Sequence, residues 1–345
     1  MSKQLVTGGA GFFGGILKNG LLNKGQEIVS VDLIQDTASH PRLVSLRGDI
    51  RDRRLMEELF EKHRFETVYH CAAILAHAVK DKDLLWTSNV DGTRIIADCA
   101  KRFGTRSLIF TSSNCLWGHS LNHLVKEDEP PAPVEIYGRS KWESEKILAE
   151  YKRDLNVGII RCPTIIDEGR LGLLAILFEF IHEGRKVWVV GGGKNKYQFI
   201  YAKDLVDACW RCAQSNKSHL FHVGSDDVKS FHEVYNYIIQ RAATGSKVAA
   251  LPRTATLLAM RLAYWLRLSP LGPYQYKMIA EDFIFDTEKI KTELGWQPTL
   301  KNEDMLWLAY QYYTDNIADI RHRKGVSAHR QAAPMGIIRL LKWLS

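Results

Sequence analysis

A chain of 345 residues that is 46% hydrophobic and 25% charged can bury a full core, which excludes a disordered resting state. The net charge of +8 hints at nucleic acid, but six basic residues and no acid follow Ile320, so the excess is mostly a tail rather than a basic face; no nucleic-acid partner is expected. No charged region followed by an apolar signal core opens the sequence, and the six cysteines are scattered, so a cytoplasmic protein with free thiols is expected.

The apolar pair Leu5-Val6 runs into Thr7-Gly8-Gly9-Ala10-Gly11-Phe12-Phe13-Gly14. A strand that turns at once into a helix leaves unpaired N–H groups at the positive helix end, where a nucleotide phosphate can sit. Gly8 allows the tight turn, Gly11 lets the backbone approach the phosphates, and Gly14 lets the helix pack on the sheet. After the helix Ile16 to Leu22 comes the strand Glu27 to Asp32, completing a βαβ unit with an acid 18 residues beyond Gly14. The Asp32 carboxylate can accept both ribose hydroxyls and repels a 2′-phosphate, so NAD is expected rather than NADP.

Alternation continues through the apolar run Leu43 to Leu46, a helix over about Leu55 to His63, and a buried strand Thr67 to His70 ending in the small residues Cys71-Ala72-Ala73. A helix from about Leu84 to Phe103 carries Asn89, and the strand Ser107 to Phe110 delivers Thr111-Ser112-Ser113 to the same edge. The acids and prolines of Glu127 to Pro133 predict an exposed, extended loop before the helix of Tyr137 and Lys141. Four residues apart, those two share a helix face. An ammonium and an oxidised nicotinamide can stabilise a phenolate, so Tyr137 can move a proton at an alcohol carbon while Ser113 hydrogen-bonds the reacting oxygen. Cys209-Trp210-Arg211-Cys212 has the spacing of a metal half-site but lies within the helical pattern Asp204 to Ala213 and lacks a second pair, so no metal is expected.

Taken in order, these motifs resemble the extended short-chain dehydrogenase/reductase superfamily, in its NAD-dependent epimerase/dehydratase branch, over about residues 3 to 313. Gly48-Asp49-Ile50-Arg51-Asp52, Asn89-Val90-Asp91-Gly92-Thr93, Phe199 to Leu205 and Leu294-Gly295-Trp296-Gln297-Pro298 strengthen the match. The resemblance implies catalytic Ser113, Tyr137 and Lys141, with Lys141 also on the nicotinamide ribose. It further implies Asp49 and Ile50 at the adenine, Phe12 and Phe13 beside the pyrophosphate, and Cys71, Ala72, Ala73 and Asn89 along the cofactor. It also implies a homodimer paired through helices of the nucleotide domain.

Two departures from that family pattern bear on the substrate. Sugar-nucleotide dehydratases commonly carry Thr-Asp-Glu where this chain has Ser113-Asn114-Cys115, which disfavours dehydration. Many sugar-nucleotide members place a diphosphate-gripping arginine where this chain has Tyr197, leaving Arg161, Arg170 or Lys196 as substitutes; Asn114 and Tyr197 are expected at the substrate. The segments Val187 to Gly193 and Leu251 to Leu268 are similar to the 3β-hydroxysteroid dehydrogenase branch, whose substrates are apolar.

The expected architecture is α/β: a Rossmann-type doubly wound parallel sheet with a smaller, mostly helical C-terminal substrate lobe. Residues 1–165 form the NAD core, 166–315 the lobe interleaved with the last core elements, and 316–345 a basic amphipathic tail. The apolar stretch Leu257 to Leu266 is expected to line the lobe or pack on it. The tail residues Ile337 to Leu344 suit a helix at a membrane surface, with docking on the protein itself, a partner contact or disorder as alternatives. The leading functional expectation is epimerisation of a nucleotide-sugar hydroxyl through a keto intermediate. The alternatives are net oxidation or reduction of an apolar alcohol, and a non-catalytic NAD-sensing or scaffold protein.

Overall fold

The computed structural model describes residues 3–75, 81–266, 276, 278–322 and 329–333. Its strands are β1 (Lys3–Thr7), β2 (Glu27–Asp32), β3 (Leu43–Arg47), β4 (Thr67–His70), β5 (Ser107–Ser113), β6 (Asn156–Cys162), β7 (Thr164–Ile166), β8 (Val187–Val190), β9 (Phe199–Tyr201), β10 (His219–His222) and β11 (Val248–Leu251). The helices used below are α1 (Phe12–Asn23), α2 (Arg53–His63), α3 (Lys82–Trp86), α4 (Gly92–Arg102), α5 (Ile136–Glu150), α6 (Leu174–His182), α7 (Ala202–Gln214), α8 (Phe231–Ala242) and α9 (Arg253–Trp265).

Seven strands form one parallel sheet in the order β10-β6-β5-β4-β1-β2-β3. Parallel strands buried on both faces read as near-continuous apolar runs, which is how Thr67–His70 comes to be buried at every position. One face is covered by α1 and α7, whose Leu17, Leu21, Leu205 and Cys209 share a core with β1 and β6 residues. The other is covered by α2, α4 and α5 around Phe60, Ile96 and Leu148. Strand order reverses between β1 and β4, and a doubly wound sheet opens its ligand crevice at such a switch point. The loops after β1 and β4 both end there.

A third core joins α6, α8 and β9 with Trp117, Phe283 and Phe285 and carries the two-stranded pairs β7-β9 and β8-β11. Cys209 and Cys212 are buried thiols against the sheet, and among the described residues no cluster of metal-ligating side chains forms.

Three local expectations need correction. The helix expected from Leu84 to Phe103 starts at Lys82, where Asp81 accepts from the N–H groups of Asp83 and Leu84, and widens to a π turn over Thr87–Asp91. Glu127 is drawn in from the acidic loop: its carboxylate accepts from His222 N at 3.0 Å, and burial raises its pKa. The apolar stretch Leu257 to Leu266 lies on α9 and its C-terminal end, and among the described residues most of its large side chains are left uncovered. Ala263 is its one buried residue, while Leu258 and Trp265 are 68% and 77% exposed. Helical periodicity reports an apolar face and is silent about what that face meets. Residues 337 to 344, read as a surface helix, lie outside the described residues.

Candidate active site

The glycine loop closes on itself. Gly8 has φ +75°, and a Cβ there would lie 2.8 Å from Ala72 N and Cα, so the wall after β4 requires glycine in the first turn. A Cβ on Gly14 would lie 2.1 Å from the Gly8 carbonyl oxygen. The α1 N-cap is Gly11, with no side-chain cap and no acid in the first turn, so the N–H groups of that turn point to an external acceptor. Asp32, at the end of β2, accepts from Ala10 N and Ile34 N, both at 3.0 Å, and so holds the loop while each carboxylate oxygen keeps capacity for a further donor. This cradle fits a dinucleotide diphosphate. Gly14→Ala is expected to weaken NAD binding about tenfold or more, since overpacking costs roughly 1–3 kcal/mol; calorimetric titration checks it.

Other residues expected at the cofactor occupy more varied positions. Phe13 is a core side chain under the sheet, so only its backbone can face a phosphate. Phe12 is 3% exposed and lies beneath the Arg170 guanidinium, 5.6 Å from its ring centroid. The Asp49 carboxylate is gripped by Arg51 through Nε and Nη2, which lowers its pKa, and Ile50 packs against Gly92. Cys71 Sγ lies 3.5 Å from Thr111 Oγ1, and burial pushes the thiol up to about 11, which keeps it protonated.

Asn89, expected along the cofactor, has its side-chain amide engaged by the protein. Its amide oxygen accepts from Ile74 N at 2.8 Å, while Nδ2 donates to the Ile74 carbonyl and to Ser140 Oγ. Both amide protons are engaged by the protein, so Asn89 braces the loop after β4 against α5 instead of offering them to a cofactor.

A buried chain of hydrogen bonds leads to that brace. The Thr93 hydroxyl donates to the Asn89 carbonyl at 2.6 Å and therefore accepts from His70 Nε2 at 2.9 Å. His70 Nδ1 is left to accept from the Thr7 hydroxyl at 2.7 Å. Burial lowers the His70 pKa to about 3, so the ring stays neutral and this tautomer holds. At the far end Ser140 Oγ donates to the Tyr137 carbonyl at 2.8 Å.

Tyr137 stands in the first turn of α5. Burial raises its pKa well above the ordinary phenol value, and the cation that opposes this is Arg170. Lys141, one turn on, is buried and donates to the Thr111 carbonyl at 2.8 Å; desolvation lowers its pKa to about 8. Ser113 Oγ accepts from Cys115 N at 3.1 Å at the end of β5. Beneath them Arg161 and Glu145 form an ion pair at 2.7 Å with both side chains 3% exposed, and Ser112 Oγ donates to the same carboxylate at 2.5 Å. This network pins α5 to the end of β5.

The three candidates to replace the missing arginine now separate. Arg161 is locked on Glu145. Lys196 is exposed and borders an open cavity of about 580 Å³ that Ser113, Tyr137 and Lys141 do not line. Among the described residues Arg170 has a buried Nε without a hydrogen-bond partner and makes no ion pair, and burial lowers its pKa to about 10, so it is still a cation at neutral pH. Tyr137 and Tyr197 lie close enough to influence it. Tyr197 itself is 2% exposed, and its hydroxyl accepts from Asn114 Nδ2 at 2.6 Å. The two expected substrate contacts thus hold each other.

The model of the NAD dependent epimerase/dehydratase family matches residues 4–224. The chain belongs to that family. As a member of this extended short-chain dehydrogenase/reductase group it is an NAD-dependent enzyme, and its sheet is the Rossmann type. A Sinorhizobium fredii protein, y4nG, of uncharacterised activity, is 36% identical over 341 residues, covering 98% of this chain and 85% of its own. UDP-glucose 4-epimerase of Neisseria meningitidis serogroup C is 31% identical over 357 residues, covering 92% and 98%. Among solved structures, the UDP-glucose 4-epimerase of Thermotoga maritima with UDP-glucose superposes with a TM-score of 0.76 at 22% identity, covering 91% and 99%, a likeness of fold.

Proposed function

We propose that this family member is a nucleotide-sugar epimerase, inverting a sugar hydroxyl through a transient keto sugar. The observation that carries this reading is the Arg170 guanidinium beside Tyr137, which stacks on Phe12 but whose buried Nε has no hydrogen-bond partner among the described residues. A half-buried cation with no counter-charge among the described residues is unfavourable, and an anionic substrate would relieve it. An apolar alcohol would leave it unpaired, which weighs against the dehydrogenase alternative. The Neisseria relative, named for a UDP-sugar, supports the same choice.

In this reading bound NAD would supply the hydride acceptor and donor that the inversion needs. Tyr137 takes the proton from the sugar hydroxyl and later gives it back, with Arg170 stabilising the phenolate. Ser113 at the end of β5 hydrogen-bonds the reacting oxygen, and Lys141 holds the ribose beside it. Ser113-Asn114-Cys115 provides no carboxylate at the position where dehydratases carry an acid pair, so the keto sugar returns to an alcohol.

The test is incubation with UDP-glucose, UDP-N-acetylglucosamine and UDP-glucuronate, with the products followed by NMR, beside a sterol alcohol assayed for NADH. Epimer formation without net NADH supports the reading, and NADH accumulation on the sterol alone overturns it. Arg170→Leu is expected to raise KM for the nucleotide sugar about 10- to 100-fold, the range for a lost charged hydrogen bond. Thermal stability should change little, because the charge removed is half-buried and the leucine can still cover Phe12.

A further inference from the structure

We infer that the segment 329–333 completes the cofactor site, with Arg330 as its ligand for the NAD diphosphate. This rests on the family's use of NAD. The segment comes from the far end of the chain yet is tied beside the glycine loop. Leu171 N donates to the His329 carbonyl at 2.8 Å, Gly172 N to the Gln331 carbonyl at 2.9 Å, and Ala333 N to the Gly172 carbonyl at 3.1 Å. That short ladder begins one residue after Arg170.

The ladder places two side chains over α1. The His329 ring meets Phe12 edge-on, with centroids 6.2 Å apart, on the same residue that carries the Arg170 guanidinium. Arg330 reaches the next turn, where a Cβ built on Gly15 would lie 3.2 Å from its Nη2. Glycine at that position leaves room for the guanidinium.

A cation here is unfavourable without an anion. The N-terminal end of a helix is its positive end, and α1 has no acid in its first turn to offset the added charge. Among the described residues the Arg330 guanidinium has neither an ion pair nor a hydrogen bond. A diphosphate would accept from the uncapped N–H groups of α1 and from Arg330 together, satisfying both sets of donors. The guanidinium fork suits that ligand, because it gives two parallel bonds to phosphate oxygens.

The experiment is calorimetric titration of the full chain, wild type, Arg330→Ala and Arg330→Lys, with NAD, ADP and adenosine. Arg330→Ala is expected to weaken NAD and ADP about tenfold and to leave adenosine unchanged, with Arg330→Lys recovering part of the loss. The wild-type affinity should also fall more steeply with salt than that of the alanine variant. Equal NAD affinity in wild type and Arg330→Ala overturns the assignment. So does an equal loss for adenosine, which would make the segment a structural support only. A wild-type chain that takes up no NAD at any concentration tested would overturn the cofactor reading itself, and this inference with it.

Discussion

Replacing Tyr137 by Phe is expected to lower epimerase turnover by about 10²- to 10⁴-fold, the range associated with a positioned proton-transfer group. NAD binding should persist, because the glycine cradle and Asp32 are untouched. The pH dependence carries the sharper information. Burial raises the Tyr137 pKa and Arg170 lowers it, so activity should rise with pH as the phenol ionises. Removing the cation in Arg170→Met raises that pKa further, and the rising limb should move to higher pH. Steady-state rates across pH for the two chains check this. A limb that stays in place, with only KM changed, would confine Arg170 to substrate binding.

The second large effect falls on stability. Glu145→Ala strips the counter-charge from Arg161, whose side chain is 3% exposed, and removing one member of a buried pair costs about 3–5 kcal/mol. The His222 ring, kept neutral with a pKa near 3, can accept from Arg161 Nη1 at 3.4 Å but brings no negative charge to replace the carboxylate. Denaturant titration should show the loss, and Glu145→Leu combined with Arg161→Met should recover much of it, since an apolar pair carries no desolvation penalty. A double variant no more stable than Glu145→Ala would mean that the network acts through shape and not charge. Activity offers a second readout. Ser112 donates to Glu145, and its neighbour Ser113 ends β5, so the single variant should lose turnover as well as stability.

The elements that position the site were legible because their signals are local. Glu27–Asp32 and Thr67–His70 are short apolar runs between breakers, and both form strands with the expected bounds. The glycine pattern implied its own geometry, since Gly8 and Gly14 meet backbone that leaves no space for a Cβ. Partnerships across long stretches of chain were not legible. Tyr197 and Asn114 were each expected at the substrate, but their contact with each other, across 83 residues of sequence, was not legible. Asn89 had the residue type for a cofactor contact, and the loop at Ile74 and the helix at Ser140 engage it first. Arg161, Arg170 and Lys196 were indistinguishable as three cations; burial and the presence of Glu145 separated them. The apolar run of α9 failed for the opposite reason, because its pattern was read correctly and nothing in it specified a neighbour.

The buried path from Thr7 through His70, Thr93, Asn89 and Ser140 to the Tyr137 carbonyl acts as a gauge. Its ends stand at the phosphate loop and at the helix of the phenol, so the span of the crevice is set inside the protein before any dinucleotide enters. The fixed tautomer of His70 makes its links to Thr7 and Thr93 directional. A change at Thr93, which lies in α4 behind the crevice, therefore alters the separation of both ends at once. Variants there would read as defects of the nucleotide and of the chemistry together, although Thr93 is a buried side chain that faces neither end.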